Sequence, residues 1–193
     1  MKRSLLIGAA LALATLSGCG TTTTATTTKP SAQAGSSRHA NVDAGVESTL
    51  ARLYANVPGS KELVAKSRGT LVFPSVIAAG LGVGGQFGDG VLKAGGRPDA
   101  YYNIASLSVG LQAGAQSKAM IFLFMTQDAL DKFESSGGWS GGVDASVAVA
   151  RVGANGAIDI NSVKAPVVAF VLTNVGLMAD LTLTGTKITR LRD

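Results

Sequence analysis

The chain has 193 residues, of which 46% are hydrophobic and 15% charged, with 17 basic against 12 acidic side chains and a formal net charge of +5. Its basic residues are dilute and form no cluster interleaved with aromatics, so nucleic acid is not expected as a partner. One cysteine and one histidine leave no internal disulfide, and the common catalytic triads and zinc sites lack their parts.

Lys2 and Arg3 form a short basic segment, followed from Leu5 to Leu16 by an apolar run too short to span a bilayer comfortably but suited to a signal peptide. The run ends in Leu16-Ser17-Gly18-Cys19, which resembles a bacterial lipobox. Residues 1–18 are therefore expected to be removed, and Cys19 to carry the lipid anchor, diacylglycerol on its thiol with a further acyl chain such as palmitate on the new amine. Two or three chains exceed the reversible limit of a single one, since each buried methylene contributes about 0.8 kcal/mol. Gly20, where aspartate would resemble an inner-membrane retention signal, points to the outer membrane, facing the periplasm, with surface exposure left open. Removal of Lys2 and Arg3 takes the 17 basic residues to 15 against 12 acidic ones, a formal +3.

Residues 19–40 read as a lipidated, Thr-rich disordered tether: Thr21 to Thr28 is nearly all threonine, and Pro30, Ser31, Gly35, Ser36 and Ser37 after it have little to bury. His39, at its end, reads as solvated. Residues 41–193 are expected to form one domain, since about 150 residues suffice to bury roughly 68–70% of the unfolded surface.

The domain is expected to open with an amphipathic helix from Asn41, placing Val42, Val46, Leu50, Leu53 and Val57 at helical spacing with Asp43 and Glu47 near the favourable end of the dipole. Pro58-Gly59 stops it. A second helix, Ser60 to Ser67, is read with Ser60 as N-cap and Leu63 and Val64 turned inward. Lys61, Lys66 and Arg68 make the densest basic group of this half. Its plain reading is a solvated face, and its sharper one is contact with phospholipid headgroups, worth about 1 kcal/mol per basic residue near an anionic surface.

Thr70 to Phe73 reads as a strand that Pro74 ends or places at an edge. Gly80 to Leu92 should be a long glycine-laced strand, Ala94 to Asp99 a hairpin loop, Tyr101 to Gln112 a returning strand and, after a polar break at Gln116-Ser117-Lys118, Ala119 to Met125 a central strand. Gly80-Leu81-Gly82-Val83-Gly84-Gly85 matches a dinucleotide fingerprint literally, but a Rossmann fingerprint must open a helix. Here it leads into Gln86-Phe87-Gly88-Asp89-Gly90 and a hairpin loop, so the glycines read as structural.

Thr126 can cap a helix over Gln127 to Phe133, with Leu130 and Phe133 on its buried side. Ser135 to Gly142 reads as a glycine-rich loop in which Trp139 is a core lid rather than a membrane anchor. Asp144 to Val152 alternates as a strand, Gly153 to Gly156 turns, and Val167 to Thr173 and Gly176 to Ile188 supply two more strands. Lys187, Arg190 and Arg192 form a second basic group, read as solvated.

Several of these segments resemble, in order, the SYLF lipid-binding domain family: Gly69-Thr70-Leu71-Val72-Phe73-Pro74-Ser75 through Gly82 to Gly90, Tyr102-Asn103-Ile104-Ala105-Ser106, Gly110 to Ser117, and Asp144-Ala145-Ser146-Val147-Ala148-Val149. The resemblance spans roughly residues 42–190. It implies phospholipid binding, with an N-terminal amphipathic helix and nearby lysines taking part. By position these are Val42, Val46, Leu50 and Leu53, with Lys61, Lys66 and Arg68. The helix departs from a basic membrane-inserting one, since its polar face carries Asp43 and Glu47 and only Arg52 as a base; actin binding, known elsewhere in the family, makes no sense in a periplasm.

The expected architecture is α+β, a curved antiparallel β-sheet, barrel- or sandwich-like, with a few flanking helices. The expected function is that of a non-enzymatic lipoprotein that binds a phospholipid membrane, without metal or cofactor. The alternative is a structural envelope protein whose lipid is only an anchor and whose basic patches meet an envelope protein partner. Small residues in the glycine-laced stretch leave open a packed seam or a groove for a lipid chain.

Overall fold

A computed structural model describes residues 32–140, 147–149, 164–173, 176–178 and 185–192. All of them belong to the unit Ser31–Asp193. Cys19, the strand read from Asp144 outside 147–149, and the turn at Gly153 to Gly156 lie outside the described residues.

Three helices and seven strands are described: α1 (Ala32–Asn56), α2 (Ser60–Lys66), β1 (Gly69–Ala94), β2 (Arg97–Phe124), α3 (Gln127–Ser135), β3 (Gly138–Ser140), β4 (Val147–Val149), β5 (Val167–Thr173), β6 (Gly176–Met178) and β7 (Thr186–Arg190). The class is α+β with one curled sheet, in the order β3-β7-β2-β5-β4; β1 pairs with β2 and β6 with β5. All pairings are antiparallel except β4 with β5, so the sheet is mixed rather than purely antiparallel.

The segments read as separate strands fuse into one long hairpin. β1 passes through Pro74 and β2 through Gln116-Ser117-Lys118 without a break. Proline is tolerated because β1 has no described partner but β2, and it sits in a bulge between Phe73 and Val76. The polar triplet stays extended because it pairs with Val76, Ile77 and Ala78. A two-residue turn, Gly95-Gly96, joins the strands with both φ angles positive (57° and 81°), the requirement of a type I′ hairpin whose twist matches the strands.

This hairpin bends over on itself. Between Leu81 and Val83 the register jumps from Ala113 to Val109, and a Cβ on Gly80 would overlap the Cα of Gly84. Beyond the bend β1 returns along its own first half: a Cβ on Gly90 would lie 2.5 Å from the carbonyl oxygen of Val72, and one on Gly88 2.6 Å from that of Ser75. The dinucleotide-like glycines lie in this extended, bent backbone and open no helix.

The two faces of the sheet bury different cores, as the period-two alternation of β2 dictates. Met120, Phe122 and Phe124 point to the side covered by α3, where Phe133 and Trp139 complete an aromatic cluster with ring centroids 5.0 Å apart. Ala119, Ile121 and Leu123 point to the side covered by α1 and α2. Trp139 is buried, as the core-lid reading has it, although it sits on β3 rather than in a loop. Thr126 caps α3 by accepting a hydrogen bond from the Ala129 amide at 3.3 Å.

Two helix starts differ from the sequence reading. α1 begins at Ala32, nine residues before Asn41, so its first turns come from the segment read as tether. At α2, Gly59 in the left-handed region is the N-cap, while Ser60 is fully buried and donates its hydroxyl to the Leu53 carbonyl at 3.3 Å.

Candidate functional site

α1 carries an apolar stripe and packs it on the sheet. Val46 and Leu53 are buried, as are Val42, Leu50 and Val57, among Val72, Val91, Ile121, Leu123, Val168, Phe170 and Leu172. The four apolar candidates of the lipid-binding reading therefore face the protein's own sheet in this conformation. A bilayer would reach them only if α1 left it.

The polar side of α1 explains its departure from a basic membrane helix. Glu47 accepts from Lys93 Nζ at 2.6 Å, Asp43 from the Tyr101 hydroxyl at 2.8 Å, and Arg52 donates to the Thr173 carbonyl at 2.9 Å. His39 stacks flat on Tyr101, centroids 3.6 Å apart, and Arg38 lies 3.8 Å from Asp89. His39 is thus a packing residue of α1 rather than a solvated tail residue. These contacts fix the helix on β1, β2 and β5 from Arg38 to Arg52.

The basic candidates are placed differently. Lys61 and Lys66 of α2 and Arg68 after it are exposed, and among the described residues no side-chain hydrogen bond or ion pair holds any of them. Lys61 and Lys66 are five positions apart, about 140° around the helix, so they flank its exposed side instead of sharing a row. Lys66 in the last turn is favoured by the helix dipole. Leu63 and Ser60 fix the orientation by burying the opposite side. The arrangement offers unpaired cations to anionic groups and carries no acid–base or nucleophilic constellation. Among the described residues no group of three His, Cys, Asp or Glu is placed to hold a metal.

A second polar group lies at the far side, where α3 meets the strand ends. Burial raises the Glu134 carboxyl above its ordinary pKa; Asp99, by charge and hydrogen bond, and then Asp131 add to the shift, and Arg190 opposes it. Burial likewise raises the Tyr102 phenol, whose hydroxyl finds no hydrogen-bond partner among the described residues. A carboxyl whose folded pKa is raised contributes stability that is complete below its unfolded pKa and lost as pH rises through the folded one. Glu134→Gln is therefore expected to raise Tm at pH 7 by about 1–3 °C, the scale of a partly exposed charge repulsion, and to give no gain near pH 4. Calorimetry at the two pH values checks this.

Sequence reasoning missed one feature of the surface. Among the described residues, the large apolar side chains left mostly in solvent are Ile77, Val83, Phe87 and Leu107, all near the bend of the hairpin. Their exposure depends on where the bend falls, which the alternation alone does not reveal.

With this geometry in place, residues 105–193 match the family model Ysc84, described as Las17-binding protein actin regulator. The SYLF resemblance holds over this span. No curated protein matches the chain. The SYLF match starts in the middle of β2 and takes in α3 and β3 to β7, whereas α1, α2, β1, and with them every candidate from Val42 to Arg68, precede it. Since β2 is paired with β1 along its length, the SYLF segment depends on the preceding hairpin strand for its sheet.

Proposed function

We propose that this protein is a membrane-anchored lipoprotein whose SYLF domain binds phospholipid without catalysing a reaction. Acylated Cys19 holds it on the outer membrane, facing the periplasm. The observation that carries the reading is the SYLF match over residues 105–193, taken with the lipobox at Leu16 to Cys19. The family description speaks of actin regulation, for which a secreted lipoprotein has no partner; the lipid half of the family's chemistry is the one that suits a membrane-tethered chain. Lys61, Lys66 and Arg68 are the headgroup-facing residues. They are exposed and unpaired, whereas the apolar face of α1 is occupied.

Flotation of residues 31–193 with phosphatidylglycerol-containing vesicles tests this. Binding is expected at low salt, weakening toward physiological salt. Replacing all three bases (Lys61→Ala, Lys66→Ala, Arg68→Ala) is expected to weaken it roughly a hundredfold, at about 1 kcal/mol per basic residue lost. Absence of flotation with anionic and zwitterionic vesicles alike, at both salts, would overturn the reading. Unchanged flotation of the triple variant, with altered crosslinked partners, would move the basic group to the envelope-partner alternative.

A further inference from the structure

The bend of the β1–β2 hairpin gathers the exposed apolar side chains on one face. Ile77 is 57% exposed, Val83 64%, Phe87 57% and Leu107 79%. From Val83 to Leu92 the register runs without a shift, so Val83, Gly85, Phe87, Asp89 and Val91 alternate onto one side, opposite Val109, Leu107, Ala105, Asn103 and Tyr101. That side is the one α1 lies on, since Val91 packs in its core and Asp89 faces Arg38. Ile77 shares it: its partner Ser117 is two positions from Ala119, which packs under the same helix. Leu107 lies over Gly85, whose Cβ position would be 3.9 Å from Leu107 Cδ2, and so sits between Val83 and Phe87.

Charge and chain geometry decide what this face meets. Of the 29 residues in 75–88 and 104–118, only Lys118 is charged, and its pairing with Val76 puts it on the opposite face. Protein–protein interfaces are enriched in arginine beside their apolar and aromatic side chains, and neither 75–88 nor 104–118 contains one. Here the surroundings are glycine, alanine, serine and glutamine, and the nearest charges on this face, Asp89 and Arg38, pair with each other at 3.8 Å. A bilayer requires the reverse, that no charge enter it. The N-terminal end of α1 lies on this same face, and Ala32 is 13 residues after Cys19. Thirteen residues span at most about 45 Å, so an acyl anchor keeps the start of α1, on this face, within that distance of a membrane.

We propose that the bend of the β1–β2 hairpin is a membrane-inserting tip, with Ile77, Val83, Phe87 and Leu107 entering the interfacial layer of the phospholipid bilayer. The inference rests on the lipoprotein reading, because the Cys19 anchor supplies the membrane. It also separates the two roles of the SYLF surface: exposed cations for headgroups, and an uncharged tip for the apolar layer.

The test uses the mature lipoprotein in phosphatidylethanolamine–phosphatidylglycerol vesicles, with an environment-sensitive fluorophore on a single cysteine introduced as Leu107→Cys, Phe87→Cys or, as control, Arg97→Cys. Acylated Cys19 does not react with the label, and Trp139, being buried, does not report on the tip. The probes at 107 and 87 are expected to shift to the blue and to be quenched by lipids spin-labelled near the headgroup, and the probe at 97 to stay in water. Leu107→Asp, at a site with little to lose in folding, is expected to reduce the membrane signal of the probe at 87 by about fivefold or more. Tip probes in water on a protein that floats with the vesicles would overturn the tip and leave the anchor standing. Tip probes in water on a protein that does not float would overturn both. A blue shift without vesicles that grows with protein concentration would assign the face to a second copy and overturn the proposal.

Discussion

Gly90→Val is expected to cost more than about 3 kcal/mol and to leave most of the protein insoluble or unfolded at 37 °C, beyond the usual range for overpacking. The reason is that the obstruction is backbone. A Cβ at residue 90 would stand 2.5 Å from the Val72 carbonyl oxygen and from Cδ1 of the Phe73 ring, where β1 lies against its own first half. Neither gives way without separating the two halves of the bent strand, and with them the cores on both faces. Gly95→Asn, in the type I′ turn, is the contrasting control: its Cβ meets nothing within 4 Å and asparagine tolerates the positive φ. It should shift Tm by no more than about 2 °C. Thermal denaturation of the two variants distinguishes glycines that hold a close approach from those that serve a turn.

Leu53→Ala is expected to destabilise the domain by about 2–5 kcal/mol, the range for truncating a buried leucine. At this chain length that is a fall in Tm of about 5–15 °C. Leu53 is fully buried with Val46 and Val57 against Val168, Phe170 and Ile121. Were the stripe of α1 a face kept free for a bilayer, the same substitution would reduce vesicle binding and leave Tm unchanged. Circular dichroism melts of the wild type and variant without lipid, beside flotation of both, give the two readouts separately.

Much of the fold was legible because local chemistry and burial agree. Val167 to Thr173 is a continuous apolar run and forms β5 over those residues; the run is buried almost throughout because α1 covers one face and the aromatic cluster the other. Thr126 as cap follows from the donor that site needs, whereas the hairpin loop read over Ala94 to Asp99 contracts to the Gly95-Gly96 turn, whose positive φ angles two glycines supply. The continuity of β1 and β2 was hidden because polarity breaks the pattern at Gln116-Ser117-Lys118 where the hairpin leaves the core, and hydrogen bonds to β1 do not depend on side-chain polarity. The start of α1 was hidden for a related reason. Ser36, Ser37 and Gly35 give a helix no apolar stripe, and what holds that end is long-range: His39 on Tyr101 and Arg38 beside Asp89.

The site divides in the same way. Exposure of Lys61 and Lys66 follows from Leu63 turning inward, which the helical period supplies, whereas the burial of Ser60 and the place of Arg68 beyond the helix do not follow from it. The apolar residues of α1 were legible as one face but not as to what the face meets, since an amphipathic helix presents the same period to a sheet and to a membrane. The tip was not legible at all. Val83, Phe87 and Leu107 fall together only through the pairing of Gly85 with Leu107, and nothing short of the register reveals it.

Hydrogen exchange of the full-length protein with and without anionic vesicles tests the central proposal, that the domain meets the membrane with its hairpin tip and exposed bases while α1 stays on the sheet. The account predicts slower exchange at residues 77–87 and 105–117 on vesicles, with the protection of residues 42–57 unchanged. Loss of protection across residues 42–57 on vesicles, with none gained at the tip, would contradict it and return the membrane role to the apolar face of α1.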